Sequence, residues 1–449
     1  MKFGTDGVRG IANVDLTASL ALDFGRAAAR VLAPRGSSLE AVVGGDTRVS
    51  TAMLEAAFVA GLAAEGVAVH RLGVATTPAV AFEASRRGAM GAMISASHNP
   101  YRDNGIKLFA PGGLKLPDDV ETRIEDELTA LPPAAGEPAG LHAAEESAAY
   151  TAHVLEALEG RTLDGLRIVV DCANGAGSEL APRLLRAAGA EVFAIADRPD
   201  GRNINDHCGA THTDALAAAV RARSADCGLA LDGDADRLMA VDHVGKVVDG
   251  DHVLAICARD LHARGQLRDD TVVVTVLSNL GFRKAMSDAG IRVLDTAVGD
   301  RYVLEAIDAG RYSLGGEQSG HVIFRDRATT GDGLLTGVVL ADIVKRSARP
   351  LGELAAAAMT RLPQVMVNVP VREQVPDAAA QLAFEIAEVE VELAGCGRVL
   401  VRPSGTEPLV RVMVEAADDT AAHDIANRLA AVAAARWGVP GSQPARRDR

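Results

Sequence analysis

At 449 residues the chain is too long for one hydrophobic core and predicts three or four domains. Apolar residues make up 48% but aromatics only 3%, so the cores must be built from Ala, Val and Leu. A net charge of -14 argues against a nucleic-acid partner or an anionic membrane surface, yet allows an anionic substrate wherever basic residues gather locally. No apolar run reaches the roughly 20 residues that span a bilayer, and the N-terminus lacks a secretory apolar segment. Five cysteines, without CxxC spacing, read as reduced, mostly buried thiols, and the expected location is the cytoplasm.

The chain begins with a glycine-rich charged stretch, KFGTDGVRG, and then shows helical apolar periodicity from Leu16 to Leu32. Ala41 to Gly45 predicts a buried strand ending in Asp46, Thr47 and Arg48, followed by a helix to Ala64. A further strand and a short helix lead to Ala92, Met93 and Ile94, and so to Ser95, Ala96, Ser97, His98, Asn99 and Pro100. Strand, loop and helix in repetition predict a mixed or parallel sheet covered by helices. Prolines 132, 133 and 138 place a first boundary near 150, and the pattern recurs over 151–245 and 246–360. From 361 to 437 it changes to short alternating strands with two helices, an α+β texture, and 438–449 reads as a disordered tail.

Four loops carry chemistry. Ser97 stands at a strand-to-loop corner that Asn99-Pro100 closes, with Lys107 returning ten residues later. A nucleophilic serine needs a base or a charge nearby, and the commoner fate of a loop serine is to cap a helix. His98 follows it in strand-like register, so a simple Ser97–His98 pair is not expected. Asp232, Asp234 and Asp236 alternate after an apolar strand, which in an extended segment would crowd three carboxylates on one side. Hard oxygen ligands in that number suit Mg²⁺. An EF-hand is excluded, because Arg237 stands at its sixth position and His243 at its twelfth. The Gly315–His321 loop sets Glu317, Gln318, Ser319 and His321 among glycines, suited to a polyhydroxylated ligand or to an ordinary surface turn. Arg402, Ser404, Gly405, Thr406 and Arg411 combine arginine forks, hydroxyls and exposed N–H groups into a phosphate cradle, or form a plain hairpin turn. Arg9 either neutralises an oxyanion or pairs with Asp6, and Lys107 is either an acid/base or a solvated charge.

In this order, ISASHNPYRDNGIK, LDGDADR, GEQSGH and RPSGTEP resemble the motifs of the α-D-phosphohexomutases, and the likeness runs from residue 1 to about 437. TDGVRG and Gln318 incline it to the bacterial amino-sugar members. The resemblance implies three similar α/β domains with mixed sheets plus a C-terminal α+β domain, four around a central cleft. It implies a phosphoserine at Ser97, with Mg²⁺ held by Asp232, Asp234, Asp236 and an oxygen of that phosphate, which Arg237 contacts. Glu317 and Ser319, with Gln318 between them, would bind the sugar. Arg402, Ser404, Gly405, Thr406 and Arg411 would hold the non-reacting phosphate. Lys107, Arg9 and His321 would transfer protons or stabilise charge, with His98 beside Ser97 in the catalytic set. The implied activity interconverts the 6- and 1-phosphates of a hexosamine through a 1,6-bisphosphate, supplying UDP-N-acetylglucosamine and cell-wall precursors. A phosphomannomutase or phosphoglucomutase is the near alternative. A Mg-dependent sugar phosphatase and a non-enzymatic phosphosugar sensor are the remote ones. A phosphorylated hexosamine is the expected partner; the assembly stays open, with a homodimer as the candidate.

Overall fold

The computed structural model describes residues 3–4, 7–33, 39–134, 137–144, 148–404, 407–439 and, for the backbone, 445–446. They form two compact units, residues 1–277 with 289–358 and residues 278–288 with 359–449. Among the described residues no helix is long and apolar enough to cross a membrane.

The first unit holds three α/β domains. In the first, β1 (Val8–Ile11), β2 (Ala41–Gly45), β3 (Val69–Val74), β4 (Met90–Ile94), β5 (Asp103–Ala110), β6 (Leu114–Lys115) and β7 (Leu141–Ala143) form one mixed sheet. Its order is β1-β5-β4-β2-β3-β7, with β6 on β5. β4, β2, β3 and β7 run parallel, and β5 is antiparallel to β4 and β1. Every residue of β2 and β4 is buried, as a parallel strand covered on both faces must be. Helices Ala18–Leu32 and Thr51–Ala64 cover one face, and helix Thr77–Arg87 packs on the other. The first two approach closely because a Cβ on Gly61 would lie 2.1 Å from the Leu22 carbonyl oxygen. The third starts where Thr76 caps the Ala79 N–H, with Pro78 in its first turn, and stops at Gly88, whose φ is 64°.

The second domain contains β8 (Arg167–Asp171), β9 (Glu191–Ile195), β10 (Cys227–Leu231), β11 (Leu238–Asp242) and β12 (Val247–Val248), in the order β12-β11-β10-β8-β9. The third contains β13 (Thr271–Thr275), β14 (Arg292–Thr296), β15 (Leu314–Gly316) and β16 (Val322–Phe324), in the order β14-β13-β15-β16. One device recurs in all three domains. A strand of the parallel set (β4, β10, β15) ends in a short loop, and the chain returns antiparallel beside it as β5, β11 or β16. The loops so made are those of Ser97, of the aspartate trio and of Glu317.

The second unit is the α+β domain, with β17 (Gln364–Pro370), β18 (Arg398–Pro403), β19 (Leu409–Glu415) and β20 (Ala445–Arg446) in the order β18-β19-β17-β20, all antiparallel. Alternate valines 365, 367 and 369 of β17 and 410, 412 and 414 of β19 form a core with helix Asp419–Trp437. Of the tail expected to be disordered, Ala445–Arg446 pairs with β17. Helix Leu280–Asp288 lies in sequence between β13 and β14 but belongs to this unit. The buried Glu415 carboxylate accepts from the Leu280 N–H (2.8 Å), Gln364 Nε2 (2.6 Å) and Arg398 Nε (2.8 Å). Asn279 bonds the Leu362 carbonyl and N–H, both at 3.0 Å.

Candidate active site

β4 delivers Ser95 and Ser97 to a buried corner. Ser95 Oγ donates to Asp46 Oδ2 (2.7 Å) and accepts the Ser97 N–H (2.9 Å). Ser97 has a φ of 52°, a left-handed conformation that costs a non-glycine residue about 1–2 kcal/mol. Its carbonyl oxygen accepts from Arg48 Nη2 and from Asn205 Nδ2, each at 2.8 Å. Its hydroxyl thereby faces the second domain and donates to Asp232 Oδ2 at 2.5 Å. His98 Nδ1 lies 3.3 Å from the same hydroxyl, so the ring does share the side of Ser97. The strand-like register expected of this pair fails because Ser97 is in the left-handed region and turns the chain.

The aspartate trio converges for a different reason than extended alternation. Residues 232–237 form a turn in which Ala235 has a φ of 60°, and the curvature brings one oxygen of each carboxylate within 4.8 Å of the others. Asp234 Oδ1 and Asp236 Oδ1 are buried with no hydrogen-bond partner among the described residues. Crowded, orphaned carboxylate oxygens next to a hydroxyl are consistent with a divalent metal site. Three helices begin at this turn. The Thr77 N–H donates to the Asp234 carbonyl (2.9 Å), and Thr77 Oγ1 donates to Asp234 Oδ2 (2.7 Å). The Ala176 N–H, before helix Gly177–Ala187, bonds the Gly233 carbonyl (2.8 Å), and the Gly333 N–H, opening helix Gly333–Ser347, bonds that of Ala235 (3.0 Å). Helix N-termini favour negative charge, so the backbone of all three domains supports an anionic centre.

The trio is electrostatically uneven. Burial, then Asp236 and Asp234, push the Asp232 carboxyl well above its ordinary value. Burial and Asp236 push Asp234 up to about 6 against the Thr77 bond and the charges of Lys107 and Arg9. Burial also acts on Asp236, but His321, Lys107 and Arg237 override it and hold that carboxyl well below the usual range.

The cations are arranged around Asp236. Lys107, on β5, places Nζ 3.8 Å from Asp236 Oδ2 and 3.8 Å from Asp300 Oδ2. His321 places Nδ1 3.6 Å from Asp236 Oδ2 and Nε2 3.9 Å from Asp300 Oδ2. Burial lowers the imidazole, but Asp236 and Asp300 together carry it above its ordinary value. Arg237 Nε lies 3.7 Å from Asp236 Oδ1 and 4.0 Å from Asp232 Oδ2. Arg9, on β1, stands opposite Gly105 of β5.

The Glu317 loop abuts the same group. Glu317 Oε1 accepts the Gly299 N–H (3.2 Å), its Oε2 accepts from Ser319 Oγ (3.5 Å), and burial pushes its carboxyl up. Gln318 is buried. Gly299 has φ 132° and ψ 137°, a backbone that is essentially glycine's own, and it sets Asp300 at the start of helix Asp300–Gly310. Asp300, which Lys115 also pairs, and Asn205 carried no signal in the sequence. Asp46 and Arg48 were visible at a strand end, but only their contacts reveal a role.

In the second unit Arg402 and Arg411 face each other across β18 and β19. Arg411 Nη2 donates to Ser404 Oγ at 3.3 Å and lies 3.7 Å from Glu407 Oε2. Gly405 and Thr406 of the expected cradle lie outside the described residues, as does Asp6. Four of the five cysteines are buried, and burial pushes the Cys208 and Cys227 thiols up to about 12, which fits structural thiols.

Comparison with known proteins gives the family of the chain. Family models of phosphoglucomutase/phosphomannomutase α/β/α domains I, II and III match residues 1–133, 148–245 and 249–362, and that of the C-terminal domain matches 366–432. The chain belongs to the phosphoglucomutase/phosphomannomutase family, the α-D-phosphohexomutases, and is a phosphate-transferring mutase. The phosphoglucosamine mutase of Frankia alni is 57% identical, over 98% of this chain and 99% of its own. That of Thermobifida fusca is 55% identical over 96% and 97%. Among solved structures, a phosphoglucomutase/phosphomannomutase family protein from Burkholderia thailandensis superposes with a TM-score of 0.82 at 26% identity, covering 98% of each chain. Aspergillus fumigatus N-acetylphosphoglucosamine mutase, solved with GlcNAc-6P and magnesium, shares the fold with a TM-score of 0.67 at 20% identity, over 96% of this chain and 95% of its own.

Proposed function

We propose that the chain interconverts glucosamine 6-phosphate and glucosamine 1-phosphate, with Ser97 carrying the phosphoryl group between them. The observation that supports this most is the 2.5 Å bond from Ser97 Oγ to Asp232, which sets a buried hydroxyl beside a cluster of unsatisfied carboxylate oxygens. Moving phosphate between O6 and O1 exceeds the reach of one fixed transfer step, so a carrier is needed. In the forward direction the P–Oγ bond of phosphoserine 97 breaks as a bond to sugar O1 forms, and Lys107 or His321 gives a proton to the departing Oγ and takes the O1 proton in its place. The 1,6-bisphosphate then turns end for end. The P–O6 bond breaks, the phosphoryl group returns to Ser97 Oγ, and the Oγ proton is passed by the same side chain to O6. Asp232, Asp234 and Asp236 would hold Mg²⁺ together with an oxygen of the serine phosphate, and Mg²⁺ when bound neutralises phosphoryl oxygens during in-line displacement. Arg237 would meet the same phosphate, and Arg9 adds positive charge. Glu317 and Ser319 would grip sugar hydroxyls beside Gln318. Arg402, Ser404, Gly405, Thr406 and Arg411 would hold whichever phosphate is not reacting. Burial of the centre keeps water from the phosphoserine.

The test combines intact mass with turnover. The wild-type protein incubated with glucose 1,6-bisphosphate should gain one phosphoryl group that Ser97→Ala does not gain, and Ser97→Ala should lose activity by several orders of magnitude. Glucosamine 6-phosphate should be turned over faster than glucose 6-phosphate or mannose 6-phosphate. A preference for either neutral hexose would overturn the substrate, and release of inorganic phosphate faster than isomerisation would make the protein a phosphatase.

A further inference from the structure

Asn205 lies outside every motif that points to chemistry, in the polar stretch 197–208 of the second domain, yet its amide reaches the serine loop of the first. Nδ2 donates to the carbonyl oxygens of Ser97 (2.8 Å) and Asn99 (3.1 Å). Arg48 Nη2 donates to the same two oxygens, at 2.8 and 2.9 Å. Each carbonyl is therefore held by one guanidinium and one amide donor. Both donors are themselves fixed. The Asn205 N–H bonds the Ala173 carbonyl (2.9 Å), and its own φ is 57°. Arg48 Nε is anchored on Asp46 Oδ2 (2.7 Å), and Nη1 bonds the carbonyls of Pro100 and of Asp103 (3.1 Å for the latter). A peptide plane has one orientation for its carbonyl once the flanking torsions are set. The plane after Ser97 is thus pinned from two domains, and with it the left-handed torsion that aims Oγ at Asp232.

We propose that Asn205 is a positioning residue for the phosphoryl-carrying Ser97, pinning its carbonyl jointly with Arg48 so that the hydroxyl stays trained on the metal-binding turn. This rests on the reading of Ser97 as the carrier. Asn205 touches neither substrate nor metal in this scheme; it acts through the backbone of the serine loop. Asp232 and Asn205 both belong to the second domain, so the bond from Asn205 also keeps the serine loop in step with the carboxylates it must meet.

The experiment uses the full-length protein with Asn205→Ala and Asn205→Asp. The second is nearly isosteric and turns a donor into an acceptor facing two carbonyl oxygens. Misplacement of a reacting atom by about an ångström costs roughly a hundredfold in rate, so kcat should fall about a hundredfold in both variants with KM little changed. Inorganic phosphate released per isomerisation should rise, because a misdirected phosphoserine meets water more often than sugar. Normal kcat in both variants would overturn the proposal. So would a loss that merely follows the folded fraction in thermal unfolding, with the ratio of phosphate release to isomerisation unchanged. If wild-type Ser97 takes up no phosphoryl group, the carrier reading falls and this proposal with it. If it does and the variants turn over normally, the proposal alone falls.

Discussion

Gly233 is the place where the fit between the serine loop and the metal-binding turn can be perturbed most directly. A Cβ built on it would lie 2.5 Å from the Ser97 carbonyl oxygen, 2.9 Å from Asn205 Nδ2 and 2.9 Å from Ile204 Cδ1. The first two groups are bonded to each other, and the Ser97 carbonyl is bonded to Arg48 as well, so neither can swing aside without breaking a buried hydrogen bond. Bringing the Ser97 contact from 2.5 Å to the 3.4 Å of ordinary packing needs an opening of about 0.9 Å. Passed on to the hydroxyl, that opening would stretch the 2.5 Å bond to Asp232 to about 3.4 Å, beyond a useful hydrogen bond. Gly233→Ala should therefore lower kcat about a hundredfold, equivalent to about 2.7 kcal/mol of barrier. Folding should suffer less, by about 1–3 kcal/mol of overpacking. Steady-state isomerisation at saturating Mg²⁺, beside thermal unfolding, measures both. A folded variant with near wild-type kcat would refute the idea that the approach of these two loops sets the rate.

Asp234→Asn should raise the Mg²⁺ concentration for half-maximal activity by at least roughly tenfold. It should leave unfolding of the metal-free protein no easier, because it removes like charge; an unchanged Mg²⁺ requirement would contradict the metal assignment. Arg402→Ala should raise KM by roughly one to two orders of magnitude with kcat nearly intact, since a charge-assisted bond to phosphate is worth about 1.5–3 kcal/mol. An unaltered KM would remove Arg402 from the cradle. Asp332 caps helix Gly333–Ser347 by accepting the Leu335 N–H (2.9 Å) and also accepts from Tyr150 Oη (2.8 Å), yet burial pushes its carboxyl up to about 6. Its folded value exceeds its unfolded one, so the folded state binds the extra proton between those values and this group adds stability as pH falls from 7 toward 4. Relative to Asp332→Asn, the wild type should gain on the order of 3 kcal/mol over that range. A constant difference in unfolding free energy across pH would show that this carboxylate is not strained by its burial.

Much of the fold was legible because burial leaves a mark in composition. β2 and β4 are all-apolar or small runs, and both faces of each are covered. The aspartate trio was legible as chemistry but not as geometry, since nothing in an alanine announces that Ala235 will take a left-handed turn. His98 was misjudged for the same reason one residue earlier, at Ser97. Asn205 was invisible because its meaning lies in a partner 108 residues away, and an asparagine in a polar loop is the commonest of sights. Asp300 was likewise hidden; its partners Lys107 and Lys115 come from another domain's sheet. Short-range pattern reveals strands, caps and ligand sets, whereas the residues that aim them are fixed only when distant segments meet.

Helix Leu280–Asp288 bears on how this protein can be taken apart. Its first N–H and the preceding asparagine fill berths made by Glu415 and by the 360–362 segment. A C-terminal piece beginning at residue 359 would carry the Glu415 carboxylate without its Leu280 and Asn279 donors, and an open seat where Gly281 lies against Thr360. Such a piece should fold poorly alone and recover when a peptide spanning 278–288 is supplied in trans. The smallest heritable module at this end of the gene product is thus two ribbons of polypeptide, not one.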